Sequence, residues 1–488
     1  MGANVMMPDS VDMVRFLPEL ILTAAGTLLM VLDAVSRGRW RHLFGTLSLF
    51  SIVAAIIAAV YASLYPGEAF SRLLVVDGFS TFFRVLVLVV GIFVVFASYR
   101  FLDRERADTG EYHALVLFSL VGQCVMAGAA DLIMVFIGLE ISSIATYVLA
   151  GYLRDDKRAN ESAIKYFLLG SFATAFLLYG VALVYGMTGS TNLLTVRSAI
   201  GVHGGGSGVL MGAAAALIFV GLAFKVSGAP FQIWAPDVYQ GAPSPVSAFL
   251  SAGPKAAAFA IFLRIFLTAF VGLSDRWAPL VWVSALLSMT IGNFAALAQA
   301  NVKRMLAYSS VAHAGYVLVA LAAQSNTGTA AAMFYLAAYA CMNVGAFAAV
   351  SHISGKGERF VKVEDFAGLA QKQPLTAGML SIFLLSLAGV PLTGGFFGKF
   401  YIFQAAMQAH LGWLVVLGLL NSAVAAFYYL RIIAMMYMRQ PGEAVDGLQP
   451  LSFSMVAALV LPAVATLVMG IFPGAVLNFA NQSAHLIR

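Results

Sequence analysis

A chain of 488 residues that is 61% hydrophobic and 10% charged is not an ordinary soluble protein, in which about a quarter of residues are charged. Its formal charge of +6 is scattered through short loops and not gathered on one face, which argues against nucleic-acid binding and makes membrane topology its reason. The two cysteines, Cys124 and Cys341, lie in apolar segments with neither metal-ligand spacing nor a His/Cys cluster nearby, so they argue for neither a disulfide nor a redox centre.

Apolar runs of spanning length predict about fourteen helices, centred near residues 25, 54, 90, 121, 142, 174, 222, 258, 290, 313, 342, 390, 424 and 464. The first, from about Phe16 to Val35, lacks the basic flank and cleavage site of a signal peptide and reads as a retained span. Strands have no expected role. Basic residues cluster after odd-numbered spans: Arg37, Arg39 and Arg41; Arg100, Arg104 and Arg106; Arg154, Lys157 and Arg158; Lys303 and Arg304; Lys356, Arg359, Lys362 and Lys372; and Arg439. The positive-inside rule then places these loops in the cytoplasm and both termini on the outer side. The segment VHGGGSGV at 202–209 reads as a flexible outer loop, and its GGG lacks the strand and helix context of a nucleotide loop.

The stretch GLAFKVSGAPFQIWAPDVYQGAPSPVSAFLSAGPK at 221–255 breaks this pattern. Its glycines and prolines interrupt a span, and broken backbone at membrane depth is tolerated only where protein or a water-filled cavity satisfies it. Lys225 and Lys255 flank the interruption, and a lysine at the bilayer centre costs about 3 kcal/mol on insertion scales. With Glu140 in IGLEISS and Lys399 in GVPLTGGFFGKF they form a set of four ionisable groups far from span ends. Removing a lysine from water disfavours its ammonium form, so its neighbours decide whether it holds a proton. The set reads either as a proton relay, with Glu140 the counter-charge, or as structural ion pairs fixing helix register.

His313, in YSSVAHAGY, is either a linking group between distant lysines or a packed histidine; Lys165, near the end of span six, is either an auxiliary site or a snorkelling side chain. Tyr166, Ser142, Ser143 and Thr393 offer hydroxyls to a water wire or simply bond to backbone. Arg84 and Arg264 do not deprotonate and are expected to pair structurally. Asp131 is expected to cap a helix, and Asp237 and Tyr239 to shape the turn between spans seven and eight. A weak likeness between Ala163-Ile164-Lys165-Tyr166-Phe167-Leu168 and Ala332-Met333-Phe334-Tyr335-Leu336 spans an odd offset of five helices, so a repeat on that offset would be inverted.

PFQIWAPDVYQGAPSPVSAFLSAGPK, YSSVAHAGY and GVPLTGGFFGKF together resemble motifs of the antiporter-like membrane subunits of proton-pumping NADH:quinone oxidoreductase (respiratory complex I), relatives of the large subunits of multi-subunit cation/proton antiporters. The resemblance covers essentially the full length, and DVYQGAP with a lysine at 399 is nearest to the N subunits. It implies an all-α polytopic membrane protein: one domain of about fourteen helices, with three N-terminal spans at 1–107, two inverted five-helix repeats at 108–272 and 273–438, broken helices seven and twelve, and a last span at 439–488. It also implies a relay of Glu140, Lys225, Lys255, His313 and Lys399, with Lys165 auxiliary. No cofactor is implied in this chain, because flavin, iron–sulfur clusters and quinone belong to other subunits of the complex. The implied partners are those membrane subunits, including an adjacent antiporter-like one, and lipid. The rival implication is an antiporter subunit with no redox partner.

Overall fold

A computed structural model describes residues 9–36, 39–202 and 208–484; Arg37 and Gly204, Gly205 and Gly206 of the 202–209 segment lie outside the described residues. Among the described residues thirteen helices are long and apolar enough to cross a membrane, from Leu17–Ser36 to Phe453–Ile471. A fourteenth crossing is made of two shorter helices, Pro374–Ala388 and Gly394–Gln408. Counted along the chain, the latter pair is span twelve. Span seven is divided too, into Gly208–Lys225 and Trp234–Gly241.

Contacts between loops sort the two ends of the bundle. At one end Arg104, closing span three, donates to Ser351 O (3.1 Å), Arg158 at the start of span six donates to Gly357 O (2.9 Å), and Val302 N donates to Val361 O (2.7 Å). At the other end Asn192 Nδ2 donates to Arg72 O (3.1 Å) and Leu132 N to Thr191 O (2.9 Å). The first set follows odd-numbered spans and the second even-numbered ones, so successive spans run antiparallel. Both described ends of the chain lie with the second set: Arg15 donates to the carbonyls of Tyr65, Pro66 and Glu68, and Phe479 stacks on Phe82 at the start of span three. The expectation that strands have no role is corrected here. Gly67–Ala69 and Leu74–Val76 form a short antiparallel hairpin between spans two and three. Three residues per strand leave no alternation for a sequence pattern to register.

Spans eight, ten and eleven are almost wholly enclosed, whereas spans one and six bury only about a third of their residues. Small residues bring the helices close, as expected where lipid is as apolar as leucine. A side chain on Gly122 would collide with the backbone of Gly138 and Ser142, so spans four and five meet at their main chains. Pro254 lacks the N–H that would bond Leu250 O inside span eight; the Tyr239 hydroxyl donates to that carbonyl instead (3.3 Å). Asp131 caps span five through Ile133 N (2.8 Å) as expected.

The two arginines inside apolar runs are paired. Arg84 meets Glu19 at 2.8 Å with both side chains essentially inaccessible, and Arg264 holds Asp77 with two hydrogen bonds of 2.9 and 3.0 Å. Asp77 also caps span three through Ser80 N (2.7 Å), so this bond ties span eight to the start of span three. Removing one member of a closed ion pair orphans the other. Arg84→Ala or Glu19→Ala is expected to destabilise the fold by about 3–5 kcal/mol, while Glu19→Leu with Arg84→Met recovers most of the loss. The thermal unfolding midpoint of the detergent-purified chain checks this; equal midpoints for the single and double variants would refute it.

Candidate functional site

Lys225 is the last residue of the first half of span seven, where a cation complements the carbonyl end of a helix. Its Nζ donates to Ser143 Oγ (2.7 Å) and Tyr147 Oη (3.2 Å) and lies 5.1 and 5.4 Å from the ring centres of Tyr147 and Tyr166. The break that follows is satisfied from within the protein. Ala229 N donates to Ser288 Oγ (2.7 Å), Ala229 O accepts from Ser284 Oγ (2.6 Å), and Trp234 Nε1 donates back across the gap to Phe224 O (2.8 Å). Trp234 also stacks flat on Tyr166 at 4.6 Å, which joins both halves of the span to span six.

Glu140 accepts a hydrogen bond from Thr174 Oγ1 (2.9 Å) and is part-exposed on span five. Among the described residues it makes no ion pair within 4.0 Å, with Lys225 or any other cation. The partners of Lys225, Ser143 and Tyr147, stand three and seven residues after Glu140 on the same helix face. Glu140 and the two side chains that hold the Lys225 amine therefore share span five, one to two turns apart, while the amine itself comes from span seven.

The centre of the bundle contains a continuous row. Lys255 is 2% exposed, and its Nζ donates to Ser310 O (3.0 Å) and Ser310 Oγ. One turn along span ten, His313 is also 2% exposed; its Nδ1 meets the Tyr335 hydroxyl and its Nε2 the Tyr429 hydroxyl (3.1 Å). A further turn brings Tyr316, whose ring centre is 5.7 Å from that of His313 and 4.9 Å from Lys399 Nζ. Ser310, His313 and Tyr316, three residues apart, thus form a stripe along span ten that reaches Lys255 at one end and Lys399 at the other.

Lys399 also meets the carbonyl end of a half-helix at its broken span, but it reaches it from the second half, whereas Lys225 is itself the last residue of the first. Lys399 Nζ donates to Leu387 O (2.9 Å) and Ala388 O (3.0 Å), the last carbonyls of the first half-helix, and to Ser422 Oγ (2.8 Å). Gly389 follows in a left-handed conformation, φ 93°, that ends this half-helix. Lys399 and Ser422 line a cavity of about 540 Å³ that also contains Gln404 and Gln408.

The partners separate two kinds of buried cation. Arg84, Arg264 and Lys303 meet carboxylates, the last as a 2.6 Å pair with Glu358. Lys225, Lys255 and Lys399 meet hydroxyls and carbonyls only. A hydroxyl accepts from an ammonium and donates to a neutral amine, so these three sites accommodate either protonation state. Two features were unread in the sequence. The tyrosines 316, 335 and 429 look like packing residues in an apolar helix, and Lys303 looks like one more basic loop residue.

Lys165 lies outside the row. It is 40% exposed and bridges Glu161 and Asp237 at 2.7 Å each; Asp237 also takes Arg304 at 2.6 Å, which anchors the second half of span seven. Ser142 meets Ser119 Oγ (3.1 Å), and Thr393 Oγ1 donates to Val390 O (2.7 Å), a backbone bond. Among the described residues no cluster of three or more His, Cys, Asp or Glu side chains could hold a metal ion, and Cys124 and Cys341 are buried free thiols.

Residues 129–425 match the family described as NADH:quinone oxidoreductase/Mrp antiporter, transmembrane. NADH-quinone oxidoreductase subunit N 1 of Solibacter usitatus (strain Ellin6076) is 68% identical, with 97% of each chain covered. A chain of respiratory complex I from Thermus thermophilus, solved with bound aureothin, superposes with a TM-score of 0.81 at 36% identity, covering 95% of this chain and 99% of that one. A chain of the Mrp complex from Dietzia sp. DQ12-45-1b shares the fold, with a TM-score of 0.85 at 22% identity over 98% of this chain and 97% of that one. A helical membrane chain with full-length likeness to these proteins belongs to the NADH-quinone oxidoreductase subunit N family, within the wider group of antiporter-like membrane subunits.

Proposed function

We propose that this chain carries protons across a bacterial inner membrane for a proton-pumping NADH-quinone oxidoreductase, driven by quinone reduction in other subunits. One observation carries the reading: Lys225, Lys255 and Lys399 are held by hydroxyls and carbonyls while the other buried cations are held by carboxylates. Flavin, iron–sulfur clusters and quinone belong to the partner subunits in this proposal, and this chain contributes no redox centre. The basic residues after odd-numbered spans support a cytoplasmic position for those loops and an outer position for both termini. The matched interruptions at spans seven and twelve, each with a lysine on the carbonyl end of a half-helix, support two inverted repeats at 108–272 and 273–438.

In the mechanism, Glu140 acts as the switch. It lies part-exposed on the helix face of the exposed Ile137, Ile141 and Ile144, which suits contact with an adjacent antiporter-like subunit. A rearrangement there moves its carboxylate toward or away from Lys225. At about 4 Å and an effective dielectric near 20, two unit charges interact by about 4 kcal/mol. Lifting one proton against the membrane potential costs about 2.3 kcal/mol per 100 mV, so making and breaking this pair is sufficient drive. The displaced proton passes to Lys255, then through Ser310, His313 and Tyr316 to Lys399, and leaves by the cavity beside Gln404 and Gln408.

Replacing Lys225 by alanine is expected to lower quinone-coupled pumping by about a hundredfold or more, the scale on which a proton-transfer group acts, with the complex still assembled. Acidification of inverted membrane vesicles during NADH oxidation measures it; full pumping at normal turnover would sink the relay. Ser422→Ala, which leaves Lys399 without its hydroxyl, is expected to slow pumping roughly tenfold, and Ser422→Thr to retain the wild-type rate. Equal rates for both variants would show that the hydroxyl has no part. The shared fold with the Mrp complex chain favours a second reading, a cation/proton antiporter subunit with no redox partner. Native electrophoresis separates the two: flavin and iron–sulfur subunits migrating with this chain support the pump, and migration without them supports the antiporter.

A further inference from the structure

Spans two and fourteen both pack against span three and leave a cleft between them, at the end of the bundle where the basic loops meet. The cleft holds a cavity of about 1000 Å³. Three cations and one carboxylate, Asp103, line it: Arg100 and Arg104 from span three and Lys356 from the loop after span eleven. The three differ in how they are engaged. Arg104 is fixed by Glu105 through Nε (3.1 Å) and by Ser351 O through Nη1 (3.1 Å), while its Nη2 is buried with no hydrogen-bond partner among the described residues. Glu105 is occupied, since the same oxygen also accepts from Gly357 N (3.0 Å). Half-buried Arg100 and exposed Lys356 make no hydrogen bond or ion pair to any described residue. His352, at the back of the cleft, is held by Gln373 Oε1 (2.8 Å).

A half-buried arginine with no partner beside a buried unpartnered guanidinium nitrogen calls for an anion with several acceptor oxygens, as a phosphate has. The remaining wall of the cleft is apolar. Leu49 and Phe96 lie one to two helical turns deeper than the arginines, and from Leu49 an apolar line of Val53, Ile57 and Val60 runs along span two toward the opposite end of the bundle. These last three are 44%, 65% and 53% exposed. At the rim Tyr99 and Thr46 share a hydroxyl contact of 3.2 Å, and Phe453 is exposed. Basic groups at the mouth, aromatic groups at the rim and an aliphatic track leading into the membrane match the three regions of one molecule.

We infer that this cleft binds an anionic diacyl phospholipid, its phosphate on Arg100, Arg104 and Lys356 and its acyl chains along Leu49, Val53 and Ile57. Free phosphate would use the cations but not the track, and a zwitterionic lipid would use the track with less from the cations. The site is separate from the central row, so lipid bound here braces spans two, three and fourteen and takes no part in proton transfer.

Native mass spectrometry of the full chain, released from detergent micelles after incubation with dioleoyl phosphatidylglycerol or dioleoyl phosphatidylcholine, tests this. Wild-type protein is expected to retain phosphatidylglycerol in preference. Each basic group near a phosphate contributes about fivefold in affinity, so Arg100→Gln lowers the preference about fivefold and Arg100→Gln with Lys356→Gln about thirtyfold. Arg431→Gln, on span thirteen away from the cleft, leaves it unchanged. Lys356→Gln alone, in an exposed loop, keeps the test valid if the Arg100 variant fails to fold. Retention of both lipids equally, retention by the double variant at the wild-type level, or displacement of phosphatidylglycerol by millimolar inorganic phosphate would each overturn the assignment.

Discussion

An interrupted helix inside a membrane exposes carbonyls that have no water to bond, and the rest of this structure is arranged around satisfying them. At span twelve the carbonyls of Leu387 and Ala388 take the Lys399 ammonium; at span seven Lys225 ends the half-helix while Ser284, Ser288 and Trp234 supply the bonds across the gap. At span twelve the open carbonyls thus hold a lysine at a depth where it would otherwise be costly, whereas at span seven Lys225 is held by Ser143 and Tyr147 of span five and other side chains close the gap. The almost wholly enclosed spans eight, ten and eleven keep Lys255, the stripe of Ser310, His313 and Tyr316, and Tyr335 buried.

Part of this was legible in the sequence and part was not, for one physical reason. Charge in an apolar run is costly, so Glu140, Lys225, Lys255 and Lys399 stand out, as do the prolines and glycines of the interruptions. Span number and the alternation of basic loops follow from the same free-energy scale. A tyrosine is mostly apolar ring with one hydroxyl at its tip, so in an apolar helix it reads like any packed aromatic. Tyr316, Tyr335 and Tyr429 therefore carry no signal, although they surround His313. Glu140 was readable as a membrane acid, but its part-exposed position and its bond to Thr174 depend on which face of span five turns outward. Lys303 shows the reverse case, a residue placed by sequence in a basic loop that the fold draws into a closed pair with Glu358 and onto Ala242 O (2.6 Å).

The carboxylate-paired cations fasten the spans to one another. Arg84–Glu19 joins spans one and three, Arg264–Asp77 joins spans eight and three, and Lys303–Glu358 fastens the start of span ten to the loop after span eleven, where Glu358 also accepts from Ser244 N (2.9 Å) at the start of span eight. Arginine stays charged, so its pairs do not open when protons move. They hold both ends of span eight, whose middle carries Lys255 on a hydroxyl and a carbonyl.

The chemistry of the amine partners completes this division. An ammonium has three donors and a neutral amine has two donors and a lone pair. Lys399 has three acceptors, Leu387 O, Ala388 O and Ser422 Oγ, which suits the ammonium; turning the Ser422 hydroxyl so that it donates to the amine suits the neutral form with the two carbonyls still bonded. Lys255 with Ser310 and Lys225 with Ser143 and Tyr147 permit the same exchange. Had any of these partners been a carboxylate, loss of the proton would have left a buried anion alone, at a cost of several kcal/mol. Hydroxyl partners avoid that penalty at Lys225, Lys255 and Lys399, which is what the proposed relay requires of them.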